Sequence, residues 1–257
     1  MDNKKTSWGE AADWYQNLLS GEGTYQKDLI LPNLLRLLEI KKGLPAGRQG
    51  ETILDLACGT GFFSKEFFKE GAKVIGVDIS KELIAFAKKN FPQGDFRVAP
   101  ADNLKFLRDK SIDKIVIVLA IPNIENVQGV FEECSRVLRS NEKLFLVMNH
   151  PAFRIPKSSS WEWDSKKRAQ YRRIDRYLSE SKAKIEMHPG ANKSEYTISF
   201  HRPLQFYFKA LSKAGFCVTR LEEWNSNKKS EPGPRKEAED RARKEIPLFL
   251  FLEALKM

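Results

Sequence analysis

Residues 51–64, E-T-I-L-D-L-A-C-G-T-G-F-F-S, decide the fold. Thr52, Ile53, Leu54 and Leu56 make an apolar, β-rich run around Asp55, and Gly59 and Gly61 follow where a helix should begin. Two glycines this close remove side chains that would hold a ligand away from the backbone. Amides at the start of the new helix are then left to bind an acceptor. The stretch is therefore a strand, a turn and a helix start.

Working outward, residues 51–149 alternate strand and helix, which predicts right-handed crossovers and a parallel sheet. Further strands are expected at 73–78, 96–99, 112–119 and 144–149, with helices at about 62–70, 81–90 and 127–138. Strands this apolar are buried on both faces. Upstream, Leu31, Leu34, Leu35 and Leu38 fall on one helical face behind Pro32. Residues 1–50 thus form a helical arm that also carries Trp8, Trp14, Tyr15 and Tyr25 and ends in a glycine-rich loop at 43–50. The arm either covers a ligand or packs against the sheet edge.

Residues 151–200 interrupt the alternation with Trp161, Trp163, Tyr171 and Tyr177 set among arginines and lysines. Tyr171, Ile174 and Leu178 share a helical face, so an amphipathic helix is expected within an inserted lid. The core resumes over 201–257, with a helix after Pro203 capped near Gly215, a strand at 216–221, a charged loop and helix over 226–245, and a last strand at 247–255. The chain is one α/β domain with an inserted lid.

The formal charge of +10 is uneven. Residues 1–150 hold nearly balanced charges, whereas residues 151–200 hold 11 basic and 6 acidic groups and residues 201–257 hold 12 and 8. Cys58, Cys134 and Cys217 are an odd, scattered set without a C-x-x-C pair, so they are expected as buried thiols rather than disulfides or zinc ligands. With no apolar leader and no run long enough to span a bilayer, a cytoplasmic protein is expected. His150, His188 and His201 lack clustered acids and give no metal signature.

A strand, a Gly-x-Gly turn and an acid closing the next strand describe a nucleoside-binding crevice, with Asp78 placed to accept from both ribose hydroxyls. Asp55, at the mouth of the turn, would repel a pyrophosphate but could receive the ammonium of an amino-acid moiety. Ser64 stands where a dinucleotide fold has its third glycine. These features favour S-adenosylmethionine (SAM) over a nicotinamide dinucleotide.

I-L-D-L-A-C-G-T-G, residues 53–61, with V-I-G-V-D-I-S ending at Ser80, resembles the class I SAM-dependent methyltransferases, departing from their commonest form in having Ala57 where glycine is usual. The resemblance implies a Rossmann-like fold with a seven-stranded, mostly parallel sheet, helices on both faces and a last strand inserted antiparallel. It further implies that Asp55, Ala57, Cys58, Gly59 and Gly61 hold the methionine part, Asp78 the ribose and Ile79 the adenine. Asp102 resembles the acid that meets the adenine amino group, an alignment in which Pro100 competes for the slot and a turn-capping role stays open. Leu119 would lie alongside the cofactor.

Methyl transfer from a sulfonium needs alignment more than acid-base help. Where the acceptor is protonated, His150, beside Asn149 at the end of the fifth strand, is the best-placed base; a ring that bonds backbone and positions the lid is the alternative. Tyr15, Tyr25, Trp161 and Tyr171 are candidate acceptor contacts. A small acceptor, suited to carboxylate or phosphate by the basic lid, is the first reading of function. An RNA or DNA methyltransferase or binding module is the second, with stacking aromatics among the arginines. It is weakened because the Asp/Asn-Pro-Pro-Tyr/Phe motif is missing after the fourth strand and Cys134 falls in a helix. A SAM-binding protein without turnover is the third. The oligomeric state is left open.

Overall fold

The computed structural model describes residues 7–41, 50–187 and 196–257. The loop expected at 43–50, apart from Gly50, and His188 lie outside these described residues. The arm comprises α1 (Ser7–Glu10), α2 (Ala12–Ser20), a π-helical turn (Gln26–Ile30) and α3 (Leu31–Leu38). The alternating part follows as β1 (Thr52–Leu56), α4 (Phe62–Lys69), β2 (Lys73–Asp78), α5 (Lys81–Asn90), β3 (Asp95–Val98), β4 (Ile112–Val118), α6 (Val127–Val137) and β5 (Leu138–Asn149). Four strands come next, β6 (Ser159–Asp164), β7 (Ala169–Ile174), β8 (Ser181–Glu186) and β9 (Tyr196–His201). The chain closes with α7 (Leu204–Lys213), β10 (Phe216–Trp224), α8 (Lys236–Glu245) and β11 (Phe249–Lys256).

Seven strands form one sheet in the order β10-β11-β5-β4-β1-β2-β3. β11 runs antiparallel to both its neighbours, and the pairs from β5 to β3 are parallel. Because side chains alternate along a strand, each central strand feeds two cores. Leu54, Leu56, Ile115, Ile117, Leu144 and Leu146 pack toward α6 and α7, while Ile53, Val116, Val118, Phe145 and Val147 pack toward α3 and α4. Two-sided burial of this kind is what holds the carboxyl ends of β1, β4 and β5 in one row.

Three expectations are corrected. The inserted region contains two β-hairpins, β6–β7 and β8–β9, instead of an amphipathic helix. Tyr171, Ile174 and Leu178 are all exposed, so the helical stripe had nothing to bury. Long-range pairing prevails there: Trp161 opposes Arg172, whose guanidinium carbon sits 5.3 Å from the Trp161 ring. Second, Cys217 is an exposed thiol on β10, while Cys58 and Cys134 are buried as expected. Third, β5 begins at Leu138, six residues before the expected start at 144.

Candidate functional site

The turn after β1 is held in a conformation that demands small residues. Ala57, Gly59 and Gly61 have φ of 60°, 56° and 75°, a left-handed region that costs a residue with a side chain about 1–2 kcal/mol. Hydrogen bonds tie the turn to β2: the Cys58 amide donates to the Val77 carbonyl at 3.0 Å, and the Gly59 amide to Asp78 Oδ2 at 2.9 Å. Asp78 Oδ1 accepts from the Ser80 amide at 2.9 Å, and Ser80 Oγ caps α5 by accepting from the Leu83 amide at 3.1 Å.

Two buried carboxylates flank the turn. Asp55 is 2% exposed and accepts from Ser64 Oγ at 2.6 Å. Burial, aided by the charge of Asp78, pushes its pKa up to about 7 against the lowering effect of Ser64. Asp78 is likewise raised by burial, with the amides of Ser80, Gly59 and Ile79 opposing the shift. Among the described residues no cation forms an ion pair with either carboxylate. A buried carboxylate lacking a counter-charge is poised to take a cationic ligand. An ammonium group would suit Asp55 in that way, and a pair of vicinal hydroxyls would suit Asp78.

The arm closes over this turn. A Cβ at Gly59 would lie 3.1 Å from Tyr15 Cε1, so the Tyr15 ring rests on the turn's backbone. Burial and the charges of Asp55 and Asp78 keep its hydroxyl protonated well above the usual tyrosine range. Trp8 meets Tyr15 edge-on at 5.6 Å between ring centroids, and Asn90 Nδ2 links Gln16 Oε1 at 2.8 Å to the Thr60 carbonyl at 3.1 Å. Ile79 and Val98 leave 44% and 53% of their surfaces exposed at the ends of β2 and β3, an apolar floor suited to a flat ring.

The other expected residues are placed as follows. Asp102 Oδ2 accepts from Asn126 Nδ2 at 2.8 Å, while Asn126 Oδ1 caps α6 through the Gly129 amide at 3.1 Å. Leu119 has φ of 55° and donates its amide to the Val147 carbonyl at 2.7 Å. Asn149 is exposed at the end of β5. His150 is buried, with both ring nitrogens engaged: Nδ1 accepts from the Ala152 amide at 3.2 Å and Nε2 lies 2.8 Å from Glu223 Oε1. The amide contact leaves the proton on Nε2, and burial lowers the ring's pKa against the pull of Glu223. No lone pair remains for a substrate proton, so His150 has the geometry of the positioning ring. Tyr25 Oη lies 2.8 Å from Ser226 Oγ, with its ring edge-on to Phe249 at 5.6 Å. Trp161 and Tyr171 stand exposed on the β6–β7 hairpin, which packs against α8, and not at the glycine turn. The β8–β9 hairpin instead reaches the turn Ile121–Asn123 after β4 and α1 of the arm.

Sequence reasoning missed Ser64, Val98 and Glu223. Ser64 stood out only as a missing third glycine. Its nine-residue spacing from Asp55 across a turn gave no sign that its hydroxyl returns to that carboxylate. Among the described residues no group of three or more histidine, cysteine or acidic side chains could hold a metal ion.

Comparison with known proteins agrees with this fold. Residues 54–146 match the family model described as a methyltransferase domain. A demethylmenaquinone methyltransferase of Tropheryma whipplei is 35% identical over 106 residues, 40% of this chain and 44% of that protein. An uncharacterized protein of Haemophilus influenzae is 28% identical over 221 residues, 81% of each chain. The chain spans less than half the length of the first curated relatives it matches. Among solved structures, an S-adenosylmethionine dependent methyltransferase from Mesorhizobium loti superposes with a TM-score of 0.65 at 26% identity, over 87% of this chain and 96% of that one.

Proposed function

We propose that this chain, which belongs to the class I SAM-dependent methyltransferases, transfers the methyl group of SAM to a small anionic acceptor held between the glycine turn and the inserted hairpins. The observation that carries the reading is the uncompensated Asp55 carboxylate beside the Gly59–Gly61 turn. SAM supplies an electrophilic methyl on a sulfonium. Asp55 binds its ammonium, Asp78 its ribose, and Ile79 with Val98 its adenine, with Asp102 at the far rim. Ala57, Cys58, Gly59, Gly61 and Leu119 shape the wall along the methionine chain. Tyr15 covers the turn and excludes water.

Alignment carries most of the rate, since a sulfonium is already a good leaving group. A small acceptor is supported by the demethylmenaquinone methyltransferase among the relatives, and an anionic one by the basic excess of residues 151–200. No helix among the described residues is long and apolar enough to cross a membrane. Calorimetry should show SAM binding at micromolar affinity, weakened at least about tenfold in Asp78→Ala, a loss of ~1.4 kcal/mol or more. Absent binding, or equal binding by the variant, would overturn the reading. Labelled SAM with a metabolite extract then identifies the acceptor by its methylated product.

A further inference from the structure

A cationic cluster lies outside the carboxyl end of β5, apart from the glycine turn. His150 organises the turn that bears it. Its carbonyl accepts from the Phe153 amide at 3.2 Å and the Arg154 amide at 2.8 Å, its ring takes the Ala152 amide, and the ring packs on Phe153 at 4.7 Å between centroids. Arg172, on β7, reaches the same turn through Nε to the Phe153 carbonyl at 2.7 Å and Nη2 to Ser159 Oγ at 2.7 Å. Those bonds use two of its five N–H donors. Tyr25 approaches from the arm, with the Lys228 ammonium 4.7 Å from its ring centroid.

Arg154 has no such engagement. Among the described residues no carboxylate lies within ion-pair distance of Arg154, Arg172 or Lys228, and the Arg154 guanidinium makes no hydrogen bond. Arg154 is exposed, and it directly follows Phe153, the residue whose carbonyl holds the Arg172 guanidinium at 2.7 Å. Tyr25 stands at the same end of the sheet, edge-on to Phe249, which pairs with Asn149 of β5. Two guanidiniums brought to one turn, neither paired with a carboxylate among the described residues, are a receptor for an oxyanion, which would offset their repulsion and fill their free donors.

We propose that Arg154 and Arg172, with Tyr25 beside them, bind the anionic end of the methyl acceptor, a carboxylate or phosphate. Strand spacing sets the scale: β5 lies two strands from β1, about 10 Å away. An acceptor anchored by its anion at Arg154 therefore extends back toward the glycine turn and presents its nucleophile there. His150 and Glu223 are positioning residues for this subsite, because they fix the turn that carries Arg154.

The assignment rests on the methyltransferase reading, and the test separates the two. SAM-saturated and SAM-free protein are each titrated by calorimetry with inorganic phosphate, with succinate and with a 12-nucleotide RNA. Saturable binding of phosphate or succinate is expected, weakened at least about tenfold in Arg154→Gln, severalfold in Arg172→Gln and only partly in Arg154→Lys, with SAM affinity within about twofold of the parent in all three. Equal anion binding by Arg154→Gln, or none by the parent, overturns the subsite. RNA binding that depends on Arg154 while neither small anion binds overturns it in favour of a polyanion. Loss of SAM binding by the parent, with the anion results intact, would fell the methyltransferase reading alone.

Discussion

Asp55 shows how one buried side chain can make a site pH-dependent. Its carboxyl is raised to about 7, chiefly by burial. A folded-state value above the ordinary one means that the folded chain holds the extra proton. The stabilising contribution is then complete below the ordinary carboxylate pKa and is lost as pH rises through about 7. Cofactor binding runs the other way, since the ammonium needs the ionised form. SAM affinity measured by calorimetry should therefore be steady above about pH 8 and fall by about tenfold per unit below 7, with proton release on binding. An Asp55→Asn variant should bind weakly with a flat profile; a flat profile in the parent would contradict the assignment. Two residues on, Ala57 holds φ of 60° where glycine would be unstrained. Ala57→Gly should stabilise the protein by up to about 1 kcal/mol, raising the melting temperature by about 2–4 °C in a domain of this size. Unchanged or lower melting in a thermal scan would show that the Ala57 side chain earns its strain through packing.

At the scale of the element, the arm helix α2 and the two hairpins divide the cover between them. Tyr15 on α2 rests against Gly59, so Tyr15→Ala uncovers the turn. SAM should then dissociate faster, with affinity down about fivefold, as expected for losing an aromatic contact of about 1 kcal/mol. Stopped-flow displacement checks the rate, and an unchanged rate would make α2 a passive neighbour. The arm's helices, the five parallel strands and the existence of a last strand were legible in the sequence because apolar periodicity is a local signal that two-sided burial enforces, whereas the antiparallel setting of that strand came from the family resemblance. Asp55, Asp78 and the glycines were legible for the same reason, lying within one strand-turn-strand unit. The hairpins were not. Tyr171, Ile174 and Leu178 fall at a helical spacing by coincidence, and only the pairing of Trp161 with Arg172 makes the segment a strand. The Tyr15–Gly59 contact and the His150–Glu223 pair, 73 residues apart, depend on tertiary distance that no local pattern encodes.

For the whole molecule, the sheet is continuous across a long insertion. β5 and β11 are adjacent though residues 150–248 lie between them in sequence, and the His150 amide donates to the Leu248 carbonyl at 3.0 Å where the two meet. Phe249, Leu250, Phe251, Leu252 and Ala254 are buried between β10 and β5, so the closing strand is part of the core. The β6–β7 hairpin is the opposite case. Its strands contribute no fully buried side chain, and the Asp175 amide donates to the Ser158 carbonyl at 2.9 Å, so its two ends already touch. Replacing residues 159–174 with a two-residue glycine-serine link should therefore spare the cooperative fold, with the melting temperature lowered by only a few degrees. SAM affinity should stay within about twofold, because the glycine turn, Asp55, Asp78 and Tyr15 all lie elsewhere. Methyl transfer should fall far more, since Arg172 leaves with the hairpin and Arg154 loses the strand that braces its turn. Calorimetry and a turnover assay on the same preparation read the two effects separately. Loss of SAM binding would mean that the hairpin belongs to the cofactor site, and full turnover would mean that acceptor recognition lies wholly within the arm and the β8–β9 hairpin.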